Sequence, residues 1–147
     1  MKKKYEVIPF ISVGNINFGI SKENVEENIG KPNKIIDNPI MGEVSVYYPD
    51  FILIFIRKRL VDVRFTDELN MDNLSIIVKE VDILETKNLI NILSEMPRAK
   101  PSKEIKGYIN FYNLGLNLAG FGRKKMKNKR EIRFFSKGRK NIMSHIC

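Results

Sequence analysis

The sequence predicts an α+β fold: a helix plus a three- to four-stranded antiparallel sheet, made twice in tandem, with the helices on one face. Three observations lead there. A shift of 65 positions aligns the two halves by residue type, without a gap for about half the unit. Each half opens with a hydroxyl residue ahead of a short amphipathic run that stops at a proline. Three strand-like segments separated by turn residues complete each half. The first unit covers residues 1–70 and the second 71–147, together read as a single compact domain.

The alignment pairs Ile16 and Phe18 with Val81 and Ile83, and Ser21 and Lys22 with Thr86 and Lys87. Pro32 falls on Pro97 and Gly42 on Gly107. Val44, Val46 and Tyr47 fall on Ile109, Phe111 and Tyr112. After an insertion in the second half, Val63, Arg64 and Phe65 match Ile132, Arg133 and Phe134.

Each element has a local reason. Ser21 is placed to cap a helix over residues 22–29, whose Val25 and Ile29 lie one turn apart on one face. Gly30 can take a left-handed C-cap and Pro32 forbids continuation. A polar loop then leads to strands over 43–48, 51–57 and 60–65, with Pro49-Asp50 and Arg57 to Arg59 as the turns. Residues 71–78 fit a helix or a strand equally. In the second half Thr86 caps a helix carrying Leu89, Ile92, Leu93 and Met96. Strands over 106–112, 114–121 and 131–136 come after it. Two such sheets could join edge to edge.

Alternation separates the two faces of each strand. Val44, Val46, Val63, Phe65, Ile109, Phe111, Ile132 and Phe134 make an apolar layer for the helices. The opposite layer is mixed. The run from Phe51 to Ile56 is apolar on both sides, which fits a central strand buried twice over. It also fits an apolar row, Ile52 and Ile54, ringed by tyrosine and arginine. The candidate partner-binding set is therefore Tyr47, Ile52, Ile54, Arg64, Tyr108, Tyr112 and Arg133.

Composition narrows the function classes. With 43% hydrophobic and 29% charged residues, the chain can bury a core. The sole cysteine, Cys147, rules out an internal disulfide. Lys2 to Lys4 make a basic start, but Glu6 and Pro9 interrupt the apolar stretch after it and no export signal is read. The longest apolar run, residues 51–56, is too short for a membrane helix. A cytoplasmic location without membrane contact is expected.

No catalytic residue, metal ligand or cofactor motif emerges, so no enzyme is expected. His145 is the only histidine and lies beside Cys147 with no companion ligand elsewhere. The net charge of +9 is local: ten of the 26 basic residues and one of the 17 acids lie between Arg123 and Lys140, so the first 122 residues balance. Arg123, Lys124, Lys125, Lys127, Lys129 and Arg130 could contact an anion or nucleic acid, or simply form a solvated loop.

The stretch from Ile16 to Pro32, with Ser21, Gly30 and Pro32 at its turning points, followed by Tyr47-Tyr48-Pro49-Asp50-Phe51, resembles the repeat unit of the beta-lactamase inhibitory protein and its relatives. That resemblance implies tandem sheets whose surface grips another protein. In size and in its lack of catalytic groups the chain also resembles the immunity proteins of contact-dependent growth inhibition and polymorphic toxin systems. The expected function is an immunity protein that binds a cognate bacterial toxin domain and occludes its active site. The alternative is a nucleic-acid-binding module led by the basic segment 123–130.

Overall fold

The computed structural model describes residues 2–87, 89–97, 99, 101–102, 107–121 and 130–138. Among them, twelve strands form two sheets and there are two α-helices. The smaller sheet holds β1 (Lys3–Ile8), β2 (Ser12–Val13), β3 (Ile16–Asn17), β8 (Leu74–Val78) and β9 (Val81–Asp82), in the order β3-β2-β1-β8-β9. The larger holds β4 (Lys34–Asn38), β5 (Glu43–Tyr47), β6 (Ile52–Ile56), β7 (Arg59–Thr66), β10 (Tyr108–Phe111), β11 (Leu116–Ala119) and β12 (Glu131–Phe135). Its order is β10-β11-β12-β7-β6-β5-β4, antiparallel throughout.

This corrects the predicted fold class. Among the described residues strand far outweighs helix, and a tandem helix-plus-sheet unit with helices on one face does not form. The reason lies in two segments that alternate like strands. Tyr5 and Val7 are buried while Lys4 and Glu6 are exposed, and Leu74, Ile76 and Val78 are buried in turn. These strands pair in parallel from Lys3↔Leu74 to Val7↔Val78. The sheet they centre covers the apolar layer that the helices were expected to cover. Tyr5 packs on Phe51 and Phe65 at 5.7 and 5.5 Å between ring centroids, and Phe65 packs on Phe134 at 6.2 Å.

The helices are too short to do that work. α1 (Lys22–Ile29) is capped by Ser21, whose hydroxyl accepts from the Asn24 N–H, but buries only Val25. Ile29, expected on the same face, is exposed. Gly30 ends the helix at φ 93°, ψ −177°, a positive φ outside the left-handed helical region. The Tyr48 hydroxyl donates to its carbonyl at 2.8 Å. α2 (Leu89–Ser94) buries Leu89 and Leu93. The Thr86 hydroxyl donates to the Asp82 carbonyl.

Segment 71–78, which fits either helix or strand by pattern, resolves into one 3₁₀ turn, Met71–Asn73, followed by β8. β6 lies between β5 and β7; Leu53 and Phe55 are buried on its inner face, while on its outer face Ile54 is buried and Ile52 and Ile56 are partly exposed. A bulge at Ile54/Phe55 shifts its register on β7.

Candidate binding face

The larger sheet has an inner layer against the small sheet and an outer layer facing away from it. Cross-strand register builds the outer layer in rows. One row runs Lys34, Tyr47, Ile52, Arg64, Arg133, Asn117, Asn110, each residue paired with the next on the neighbouring strand. Four of the predicted partner-binding residues thus stand side by side. From β5 to β12 they span three strand steps, about 14 Å.

Arg64 and Arg133 are directly opposed, which alone would repel. Asp62, fully buried on the same layer, lies between them. Its Oδ2 is 3.4 Å from the Arg64 guanidinium and 3.5 Å from Arg133 Nε. Glu131 balances the second arginine at 3.3 Å. The arginine pair is therefore compensated by two carboxylates. The Arg64 and Arg133 side chains keep 23% and 18% of their surface accessible. At the other end of the row, Lys34 Nζ lies 4.6 Å from the centre of the Tyr47 ring.

The remaining predicted residues do not join this group. Ile54 is on the outer layer, opposite Asp62, but only 1% exposed, so it offers a partner no surface. Tyr108 sits on the far edge strand β10, five strand steps or about 24 Å from Tyr47. Tyr112 lies in the 3₁₀ turn Tyr112–Leu114 beyond β10. Around β10–β12 the outer layer is closed: Asn110, Asn117, Ala119 and Phe135 are buried, and the Asn117 amide donates to Asn110 Oδ1. The Phe10 ring contacts Phe135 at 6.3 Å between centroids. The accessible part of the face is centred on Tyr47, Ile52 and Arg64.

Of the basic segment, Arg123, Lys124, Lys125, Lys127 and Lys129 lie outside the described residues, as do His145 and Cys147. Arg130 is committed inward. Its backbone N–H donates to Asp67 at 2.7 Å, and its guanidinium reaches Asp67 at 2.8 Å and Asp72 at 3.0 Å. Burial pushes the Asp67 carboxyl up, but the Arg130 hydrogen bonds and charge outweigh it and hold the group below the usual carboxylate range. Sequence reasoning missed this clasp, which joins the residue just after β7 to the residue just before β12, and it missed the burial of Asp62. Among the described residues, no group of three or more His, Cys, Asp or Glu could hold a metal ion. No described helix is long and apolar enough to cross a membrane.

No protein-family model matches the chain, and neither does any curated protein or solved structure.

Proposed function

We propose that this chain is a protein-binding module that grips its partner with the outer layer of β5, β6 and β7, and that the partner is a bacterial toxin domain whose active site it occludes. The observation that carries the reading is the row Tyr47, Ile52, Arg64, Arg133. An aromatic ring, an aliphatic side chain and braced guanidinium groups on a rigid sheet are the groups that anchor protein interfaces. Asp62 and Glu131 leave the arginine pair near neutral, which suits a mixed protein surface better than a phosphate backbone. Choosing a toxin as the partner rests on the resemblance to immunity proteins.

The test starts from the gene immediately upstream, which on this reading encodes a protein with a C-terminal toxin domain, and co-expresses that domain with this chain. A complex should form, and Tyr47→Ala with Arg64→Ala should weaken it by about thirtyfold or more, since each anchor contributes on the order of 1–2 kcal/mol. Failure to form the complex discards the toxin reading. Full affinity in the double variant discards the face. Binding to RNA or DNA that weakens steeply with salt would favour the basic segment instead.

A further inference from the structure

The two edges of the larger sheet are finished differently. Beside β10 the chain covers its own edge: Pro101 bridges Phe111, and the Ser102 N–H donates to the Asn110 carbonyl at 2.8 Å. β4 has no such cover among the described residues. It pairs with β5 in unbroken register from Lys34↔Tyr47 to Asn38↔Glu43, and all five of its residues are exposed. It contains no proline and no bulge, and its two charges, Lys34 and Asp37, are the edge-guarding groups that a pairing strand has to accommodate. Nine large hydrophobic residues are exposed in the described chain, and five of them, Ile29, Ile35, Ile36, Ile40 and Met41, gather around this edge. That concentration marks a contact surface.

We propose that β4 is a dimerisation edge, pairing antiparallel with β4 of a second copy about a two-fold axis through Ile35. The sequence is self-complementary in that register. Ile35 meets Ile35 of the second copy, and Asn33 meets Asp37 at both ends, an amide against a carboxylate. On the other layer Lys34 lays its stem along Ile36. Centring the axis on Ile36 would instead set Ile35 against the Asp37 carboxylate twice over. Continued outward, the register centred on Ile35 carries Ile40 and Met41 at the tip of each β4–β5 hairpin towards Ile29 at the end of α1 in the other copy. An unrelated extended peptide would not satisfy both ends at once, which is why the occupant is a second copy. An edge strand of five residues should bury less than the roughly 1,200–2,000 Å² of a standard stable interface, so a dimer that dissociates on dilution is expected. It does not depend on the partner proposed above.

The experiment is sedimentation equilibrium of the full chain from micromolar to near-millimolar concentration, with cross-linking in a Cys147→Ser background. A monomer–dimer equilibrium is expected, weakened at least about tenfold by Ile35→Lys, with an unchanged circular dichroism spectrum because this side chain is 46% exposed. Ile35→Cys should form a disulfide dimer on oxidation, because opposed antiparallel residues stand about 4.5–5.5 Å apart. Asp37→Cys should not, since its two copies lie about 14 Å apart along the strands. A monomer at every concentration overturns the proposal. So does a dimer indifferent to Ile35→Lys, or cross-linking through Asp37→Cys that matches Ile35→Cys.

Discussion

Arg64 and Arg133 face each other across the β7–β12 pair, and the carboxylate that makes this tolerable, Asp62, is itself fully buried. Two cations on adjacent strands would otherwise push apart the seam where the two halves of the larger sheet meet. Replacing Asp62 by Asn should therefore cost about 3 kcal/mol, the lower end for breaking a buried ion network, because both arginines keep some contact with water. Urea denaturation measures it. Adding Arg64→Met and Arg133→Leu to Asp62→Asn should recover most of the loss, since an apolar replacement of a whole network is commonly neutral. A triple variant no more stable than the single one would show that Asp62 acts otherwise.

The clasp between Asp67 and Arg130 gives an acid limb to stability. The folded carboxyl titrates below its unfolded value, so its contribution is complete above the ordinary value of about 3.9 and is lost as pH falls through the folded value. Asp67→Asn should be less stable than the native chain at neutral pH. That gap should close as the pH is lowered through this window, read from urea midpoints at a series of pH values. A gap independent of pH would remove the carboxylate from the explanation.

Tyr5 gives an alkaline limb. Burial pushes its phenol up to about 12, with the Asp50 carboxylate, 2.8 Å from the hydroxyl, adding to the rise against the lowering effect of Lys3. Below the unfolded value of about 10 the neutral phenol is undisturbed in both states; above it the folded state holds the extra proton, so stability falls until the folded group ionises. Tyr5→Phe should flatten stability over that interval. It should also cost about 1 kcal/mol at neutral pH for the lost hydrogen bond to Asp50. Ultraviolet titration of tyrosine alongside urea melts checks both.

Gly115 follows the 3₁₀ turn with φ 63° and ψ 36°, and a Cβ there would lie 3.0 Å from the Phe135 carbonyl oxygen and 3.1 Å from the Phe10 ring. Gly115→Ala combines left-handed strain with a clash against the backbone of β12. A loss of about 2 kcal/mol is expected, roughly 6 °C in Tm for a chain of this size. A melting temperature within a degree of the native value would contradict this geometry.

The parts of the fold legible from sequence are those whose signals are local. Ser21 and the run after it located α1 to the residue, and the apolar run from Phe51 located β6. Alternation assigned Arg64 and Arg133 to one layer, and β7 and β12 pair directly at those two residues. The elements that escaped are set by distant partners. β1 and β8 each alternate, but nothing within either names the other as its neighbour or makes the pair parallel. β4 has no buried residue at all, so its strand character comes from β5 alone. Ile54 looked equivalent to Ile52 by spacing, yet its position over β7 beside Asp62 buries it. Tyr108 and Tyr47 are matched in chemistry and separated by the width of the sheet.

The parallel join of β1 to β8 has a consequence for how the chain acquires its structure. β4 to β7 are successive hairpins and can zip up as soon as they leave the ribosome. The first strand pairs early with β2 on one side, but finds its parallel neighbour on the other side only once residues 74–78 have emerged. Until then the sheet that covers the early meander lacks two of its five strands, β8 and β9. Closure must wait for a contact far along the chain, which places the slow step of folding late and makes the half-made protein the species most in need of chaperone protection.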